Sequence, residues 1–387
     1  MQIREITIGE LDDFAQSELW QQLRPKPITV LRAISQSQNP RAKPDDVALI
    51  IAYEGTTLAG LAGILPNLVN GQAEQKASSN TCWWVNGNEG RKLALPLFMK
   101  AFALCGQRMF LTDMTPHTMS ILEKTNWFEF PSVDYGMRGF LKFNLHEILP
   151  AKRPSLRELK PLIRLSDQIL NLLFLPVRMI NRKRFGMKDT KIETTPGQAV
   201  SNRSFSSEQK ELKIEILDSL NEEMHAYIEE HSHQEFIRRS AKEMEWIVRY
   251  PWIKTQKEAT PADAFDYPFS HIVGHFEQYF LHISTQNKTT GLLLISVRDG
   301  HMKVPYAWFD EKDAPLILKV IYGQAVLKKA TTLTLFRPSL VEVMHSAPHP
   351  FVFRKSIRRL VAVSRQLSDL YRQYPDLQDG DGDVVFT

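Results

Sequence analysis

The stretch Val47-Ala-Leu-Ile-Ile-Ala-Tyr-Glu-Gly-Thr-Thr-Leu-Ala-Gly-Leu-Ala-Gly63 shows how the first half of the chain is organised. Two apolar runs are separated by Glu54-Gly55, a pair of residues that suits the tight turn of a β-hairpin. Another apolar run over 81–85 predicts a third strand, and the stretch 91–105 that follows has a helical pattern. Strands that lead into a helix in this way predict a mixed α/β domain.

The same order of elements occurs twice in the chain. The first copy continues with a predicted strand (108–113), a helix (116–125) and a strand (137–144). The second copy has three strands (278–285, 290–298, 301–309), a helix (314–329), a strand (332–336), a helix (339–345) and a strand (351–362). A repeated unit of this kind predicts one α/β fold with a mixed sheet used twice. We expect an N-terminal domain over 1–146, a basic helical linker over 147–211 and a C-terminal domain over 212–387.

Composition is consistent with two ordinary globular domains. The 387 residues are 43% hydrophobic, and the net charge of +4 does not require nucleic acid as a partner. Cys82 and Cys105 are too few for a disulfide framework or a CxxC zinc site, so we expect two reduced thiols. The first residues lack the apolar core of a signal peptide, which predicts a cytoplasmic location.

The predicted linker is strongly basic. Between Lys152 and Lys191 it has eleven Lys or Arg residues against three Asp or Glu residues, and apolar residues over 162–177 recur at helical spacing. Two interpretations remain open. The helix packs its apolar stripe on a domain, or the segment 157–185 contacts the surface of an anionic membrane.

The first half resembles the GCN5-related N-acetyltransferase (GNAT) superfamily. The likeness lies in the hairpin quoted above, in Cys82-Trp-Trp-Val-Asn-Gly-Asn-Glu-Gly-Arg-Lys-Leu-Ala-Leu-Pro-Leu97 and in Met114-Thr-Pro-His-Thr-Met-Ser-Ile-Leu-Glu-Lys-Thr-Asn-Trp-Phe128. The resemblance implies an acyl-CoA-dependent N-acetyltransferase with tandem domains, whose donor site lies in the N-terminal domain. Its cosubstrate would be acetyl-CoA, without a metal, and its acceptor the amine of a small molecule or sugar.

The resemblance places coenzyme A at the loop that precedes the helix 91–105. Free backbone N–H groups at a helix start attract phosphate, and glycines let the backbone approach it. The implied cofactor-binding residues are Trp84, Val85, Gly87, Gly90, Arg91, Lys92 and Ala94. A Gly90→Glu substitution is expected to abolish coenzyme A binding without unfolding the chain. The alternative is a plain turn in a domain that has lost its cofactor.

Three residues are candidates for moving the proton during acyl transfer. Glu54 and Asp113 are carboxylates near predicted strand ends, and His117 begins a predicted helix. Each residue also fits an ordinary role in a turn, a strand end or a solvated helix start. The histidines and carboxylates over 222–235 lack a sharp metal-binding motif, so no metal is expected.

The second half has a different loop at the equivalent position. Asp310, Glu311 and Asp313 stand where a pyrophosphate would lie, and their charge would repel it. Two further functions therefore stay open beside the acetyltransferase. One is a Fem-like aminoacyl transferase, which would use aminoacyl-tRNA, and the other is a non-catalytic scaffold or sensor.

Overall fold

The computed structural model describes residues 1–70, 75–87, 90–131, 134–176 and 212–386. Contacts divide the chain into two compact units. Unit 1 comprises Met1–Asp134, Ser219–Phe276 and Arg359–Thr387, and unit 2 comprises Tyr135–Asp218 and Glu277–Arg358. Each unit is built on a mixed sheet of seven strands. The mixed α/β class with a repeated sheet, predicted from the sequence, is confirmed.

The strands, in chain order, are β1 (Gln2–Thr7), β2 (Val47–Glu54), β3 (Thr57–Val69), β4 (Gln75–Val85), β5 (Met109–Leu111), β6 (Phe128–Glu129), β7 (Asp134–Phe140), β8 (Leu212–Leu217), β9 (Lys254–Thr255), β10 (Ile272–Val273), β11 (Phe276–Thr285), β12 (Lys288–Arg298), β13 (His301–Phe309), β14 (Thr332–Leu335), β15 (Phe353–Arg359) and β16 (Ala362–Ser364). The helices are α1 (Leu11–Phe14), α2 (Glu18–Gln22), α3 (Val30–Ser37), α4 (Arg91–Leu104), α5 (Pro116–Glu123), α6 (Leu145–Lys152), α7 (Lys160–Leu173), α8 (Glu222–His231), α9 (Ala241–Arg249), α10 (Ala314–Leu327), α11 (Pro338–Ser346) and α12 (Ser368–Gln373).

The sheet of unit 1 has the order β1-β2-β3-β4-β5-β16-β6. Strands β1 to β4 are antiparallel, and β4 and β5 are parallel. Both faces are covered, because successive residues of β2 enter different cores. Leu49 and Ile51 pack in the cluster that includes α1 and α3, whereas Ile50 and Ala52 pack in the cluster that includes α4. A strand buried on both faces explains the unbroken apolar run in the sequence.

The sheet of unit 2 has the order β15-β7-β14-β13-β12-β11-β8. Strands β12 and β13 are antiparallel, and β13 pairs with β14 in parallel, as β4 does with β5. Helix α10 buries Ile317, Leu318 and Ile321 in the core of this unit. The sequence and spacing that predicted a second copy of the first fold therefore produce the same central arrangement of strands.

Each sheet takes one strand from the other half of the chain. The strand predicted to close the first copy, β7, pairs with β14 in unit 2, where Met137 lies opposite Leu335. Gly139 allows β7 to pack closely in this sheet, because a Cβ at this residue would meet the ring of Phe351 at 2.5 Å. Conversely, β16 pairs with β5 and β6 in unit 1. The sequence predicted domain boundaries at 146 and 212. The units defined by contacts are each assembled from separate segments of the chain.

The predicted linker begins with two helices that belong to unit 2. Helices α6 and α7 are followed by residues 177–211, which lie outside the described residues. The predicted membrane segment 157–185 is thus described as far as residue 176.

Candidate functional site

Strands β4 and β5 separate along their length. They pair in parallel at 78–79 of β4 and 109–110 of β5, close to the point where both strands begin. Strand β5 ends at Leu111, whereas β4 continues to Val85. Beyond 79 and 110 no further pairing joins the two strands. The region between the far end of β4 and the residues that follow β5 is called here the gap.

A β-bulge lies where the two strands part. Against β3, Gly63 lies opposite Cys82 and Ile64 lies opposite Asn80, so that Thr81 is an extra residue on β4. A bulge bends its strand and redirects the side chains around it. The bulge lies just beyond the last residues at which β4 pairs with β5, Ser79 and Phe110.

The backbone of β4 faces the gap at two residues. The N–H of Asn86 donates to the carbonyl of Ala59 at 2.9 Å. Because such bonds alternate along an antiparallel pair, the N–H and C=O groups of Trp83 and Val85 point away from β3. A ligand lying in the gap would find these groups available on its β4 side.

The turn after β4 is compact at Gly90 and open at Gly87. Gly87 has a left-handed backbone (φ +55°) with nothing within 4 Å of its missing Cβ. Gly90 donates its N–H to the carbonyl of Asn86 at 3.0 Å. A Cβ at Gly90 would lie 2.6 Å from that carbonyl oxygen. A side chain at residue 90 must displace backbone, so Gly90→Glu would also destabilise the turn, a cost that the sequence-based expectation did not include.

The start of α4 presents two positive charges. Gly90 is the N-cap residue, and Arg91 and Lys92 follow as the first two helical residues. Both are exposed, and neither forms an ion pair with another residue that the structure describes. The helix dipole adds to their field. This end of the gap is therefore suited to an anion.

The other predicted cofactor residues have structural contacts. The side chain of Trp84 packs with the core that includes α1 and α3, and Val85 packs on the α4 side. The carbonyl of Ala94 accepts a hydrogen bond from Trp83 Nε1 at 2.9 Å. Ala94 thus helps to fix α4 against β4, and the groups that remain for a ligand are those of the turn and the β4 backbone.

The three predicted proton-transfer residues are not brought together. Asp113 (φ +57°) follows β5, and His117 lies in the first turn of α5; both are exposed on the β5 side of the gap. Glu54 ends β2, two strands away from β4, and its carboxylate is 3.8 Å from the amino group of Met1. Its side chain is 82% exposed, so Glu54 has the contacts of a surface turn.

The sequence did not reveal a buried polar cluster on the bulge. Arg32 of α3 donates to the Thr81 hydroxyl from Nη2 at 2.6 Å and to the Tyr267 hydroxyl from Nη1 at 3.4 Å. Its guanidinium also lies 4.2 Å from the centre of the Trp252 ring. A charge buried in this way is held by hydrogen bonds and by the aromatic face.

Electrostatics tie this cluster to the C-terminal tail. Burial alone lowers the pKa of Arg32, but the acidic groups of Cys82, Tyr267 and Asp383 outweigh it and raise the pKa. Burial raises the pKa of Tyr267, against the opposing effect of Arg32. At neutral pH, therefore, Arg32 is a cation and Tyr267 is a protonated phenol.

The C-terminal tail contacts both the residue after β5 and Trp252 of the Arg32 cluster. Thr112, just after β5, donates its hydroxyl to the carbonyl of Asp381 at 3.0 Å. Phe386 stacks on Trp252 with ring centres 4.5 Å apart, and its carbonyl accepts from the Trp252 N–H at 3.0 Å. Asp383 is thereby held between β5 and the Arg32 cluster. Residues Val384–Phe386 form a 3-10 helix.

The sequence alone does not single out Arg32, because the feature that marks it is the orientation of α3 in the fold. Helix α3 buries Arg32, Ser35 and Gln36, while Val30 and Ile34 on its other side are exposed. An amphipathic helix normally buries its apolar side. A helix with the opposite arrangement marks a buried polar site.

The equivalent turn of unit 2 has a different charge. Asp310, Glu311 and Asp313 precede α10, and the carboxylates of Asp310 and Glu311 pair with Lys312 at 2.8 Å and Arg337 at 3.3 Å. These carboxylates would oppose a bound pyrophosphate. Of the two turns, the one in unit 1 therefore has the charge that is better suited to an anionic ligand.

The described ranges lack two further kinds of feature. No group of three or more His, Cys, Asp or Glu residues there could hold a metal ion. No helix there combines the length and the apolar character needed to cross a bilayer.

Comparison with known proteins finds likeness in solved structures. No protein-family model matches the sequence, and no curated protein matches it significantly. The chain is similar to an Enterococcus faecalis protein named as a probable N-acyltransferase (8% identity, TM-score 0.48, 96% of this chain and 75% of that one). It is also similar to a GCN5-related N-acetyltransferase from Anabaena variabilis (7%, 0.44, 93% and 72%) and to Saccharomyces cerevisiae N-myristoyltransferase with bound myristoyl-CoA (8%, 0.45, 93% and 82%).

Proposed function

We propose that the protein transfers an acyl group from acyl-CoA, in the first instance acetyl-CoA, to the amine of a small molecule or sugar. The observation that carries the proposal is the gap between β4 and β5 in unit 1. It begins at the bulge at Thr81 and ends at a glycine turn followed by two exposed cations. The gap thus offers a narrow end for an acyl group and a basic end for phosphates.

The donor would lie along β4. Its pyrophosphate would meet the first N–H groups of α4 and the charges of Arg91 and Lys92. Its amide-bearing arm would pair with the backbone of Trp83 and Val85, as an added strand pairs with a sheet edge. This arrangement would leave the thioester close to Thr81.

Acyl transfer requires an uncharged amine and a stabilised thiolate. The amine nitrogen forms a bond to the acyl carbon as the carbon–sulfur bond breaks, and the amine loses a proton. The negative charge of Asp383 helps to raise the pKa of Arg32, so this carboxylate is our candidate for attracting the amine and accepting its proton. Tyr267, kept protonated by burial, would donate a hydrogen bond to the thiolate. Asp113 and His117 remain candidates on the β5 side.

One observation favours a non-catalytic scaffold as a second candidate. Arg32 is already satisfied by Thr81, Tyr267 and Trp252, and Phe386 covers Trp252. A polar cluster that satisfies its own groups needs no ligand. In this case the gap would be a remnant of the fold without a donor.

Calorimetric titration of the whole chain with acetyl-CoA tests the proposal. The whole chain is required because unit 1 includes residues 359–387. We expect binding that falls by about ten-fold or more, about 1.4 kcal/mol, when Arg91→Glu and Lys92→Glu are combined. Lys257→Glu, at an exposed loop of the same unit, is the matched control and should bind as the wild type does.

Two outcomes would contradict the assignment. If the double variant binds acetyl-CoA as tightly as the wild type does, the donor does not bind at the α4 turn. If the wild type itself does not bind acetyl-CoA, the non-catalytic scaffold becomes the better supported function. Aminoacyl-tRNA is then the next ligand to titrate.

A further inference from the structure

Helix α7 of unit 2 is attached to the protein by its polar side. Asp167, which is 3% exposed, accepts hydrogen bonds from the backbone N–H groups of Leu145 and His146, both at 2.9 Å. It also contacts the His146 ring, with 2.7 Å between Oδ2 and Nδ1. The carboxylate thus caps α6, whose N-cap residue Asn144 makes no side-chain capping bond.

A second polar residue fixes the same side of α7. Asn171, one turn after Asp167, accepts from the N–H of Phe143 at 2.9 Å and donates to its carbonyl at 2.8 Å. Phe174 adds an edge-to-face contact with the Phe143 ring at 5.2 Å. Two side chains at i and i+4 lie on one face of a helix. They therefore determine which face of α7 meets the protein.

The opposite face of α7 is apolar and exposed. The residues of this face, called here the leucine stripe, are between 53% and 71% exposed; they are Leu162, Leu165, Ile169, Leu172 and Leu173. Five large apolar side chains on one face of a helix exceed the scattered apolar residues of an ordinary surface. The stripe is exposed because Asp167 and Asn171 hold the helix in this orientation, so the exposure is a property of the fold.

Basic residues border the leucine stripe. Three cations, Arg157, Lys160 and Arg164, and one anion, Glu158, line an open cavity of about 610 Å³, together with Pro161, Leu165 and Gln168. All three cations are exposed. The surface thus combines an apolar strip with positive charge on its border.

We propose that the leucine stripe docks on the surface of a membrane that contains anionic lipids. A helix with an apolar face and basic flanks lies in the interface, with its apolar side chains among the acyl chains and its cations among the headgroups. A second copy of the chain fits the surface less well. A two-fold contact through the stripe would cover the apolar residues, but it would bring a second copy of the same basic border and no cluster of anions to match it. Docking of this kind would carry the whole chain to the lipid surface.

Vesicle flotation of the full-length protein tests this proposal. The probes are vesicles of phosphatidylcholine alone and of phosphatidylcholine mixed with phosphatidylglycerol. We expect flotation with the mixed vesicles, which weakens as salt is raised. We expect little flotation with phosphatidylcholine alone. Equal binding to both vesicles would overturn the role of the cations, and absence of binding to both would overturn the proposal.

Matched variants distinguish vesicle binding through the leucine stripe from nonspecific adsorption of apolar surface. The stripe variant combines Leu165→Gln, Ile169→Gln and Leu172→Gln and should lose about ten-fold or more of its vesicle binding. Its control replaces three exposed apolar residues of α4 with Gln, at Leu95, Met99 and Leu104, and should bind as the wild type does. Equal flotation of the stripe variant and the wild type would refute the assignment.

Two further measurements keep the result interpretable. In one variant, Arg157, Lys160 and Arg164 are all replaced by Gln, which leaves the stripe intact. This variant should also lose binding to the mixed vesicles, and it still tests the proposal if the stripe variant misfolds. Sedimentation velocity without lipid shows whether the stripe joins two copies. A dimer that becomes a monomer in the stripe variant would assign the surface to self-association and overturn the membrane proposal.

Discussion

A methyl group added at Gly90 should destabilise unit 1 far more than one added at Gly87. At Gly90 the new Cβ would lie 2.6 Å and 2.8 Å from the oxygen and nitrogen of Asn86, and 3.0 Å from the oxygen of Ala59. All three are backbone atoms, which cannot rotate away. Two hydrogen bonds hold these atoms in place, Gly90 to Asn86 at 3.0 Å and Asn86 to Ala59 at 2.9 Å.

The cost follows from these contacts. Forcing a methyl group into a packed site costs about 1–3 kcal/mol, and weakening two hydrogen bonds adds about 1 kcal/mol for each. We therefore expect Gly90→Ala to lower the free energy of unfolding of unit 1 by at least about 3 kcal/mol. At Gly87 there is open space, and Gly87→Ala should cost only the left-handed backbone, about 1 kcal/mol.

Hydrogen exchange with peptide resolution is the suitable assay. The two units need not unfold in one transition, and exchange reports the opening of peptides within 81–104 directly. Gly90→Ala should speed exchange there by a factor that corresponds to the extra 2 kcal/mol or so. Equal protection in the two variants, or a larger loss in Gly87→Ala, would refute the reasoning about this turn.

Three other outcomes are expected. Asp167→Ala removes the cap of α6 and should destabilise unit 2 by about 2–4 kcal/mol in a denaturant titration, since it breaks two charged hydrogen bonds to backbone N–H groups. Burial raises the pKa of the Cys105 thiol to about 11, so that its alkylation at pH 8 should be about a hundred-fold or more slower than in the denatured chain. Burial, with nearby cations, lowers the pKa of His301 and of His349 below the usual 6.5. The unfolded state then binds protons more readily, so unit 2 should lose stability as the pH falls below about 6.5, and His301→Gln should reduce that loss.

Local patterns predicted the elements of each sheet but not their partners. The hairpin of β2 and β3 and the helix α4 follow from alternation, a turn dipeptide and helical spacing, which are features of neighbouring residues. The placement of β7 depends on Gly139 meeting the ring of Phe351, a contact between residues far apart in the chain. A short apolar strand does not specify the sheet that it joins, so β7 and β16 could be predicted as strands but not assigned to a unit.

The same distinction separates the two parts of the candidate site. The turn with Gly87, Gly90, Arg91 and Lys92 is contiguous, and its glycines and charges could be read directly. The Arg32 cluster joins residues from α3, β4, the loop that contains Tyr267 and the tail. Each is unremarkable in its own segment, and only folding brings them together.

Helix α7 shows where periodicity stops being informative. Its spacing predicts an amphipathic helix with one apolar face, but periodicity alone does not say which face meets the protein. Burial of the apolar face is the usual result, because it removes the most hydrocarbon from water. Here two polar residues decide otherwise: Asp167 satisfies the N-terminal N–H groups of α6, and Asn171 satisfies the backbone of Phe143. Turning the helix over would bury the stripe but leave those backbone groups without these partners. A fold that uses its polar contacts to keep five apolar side chains exposed therefore implies a second apolar phase for them, and the basic border makes an anionic lipid surface the candidate that matches both features.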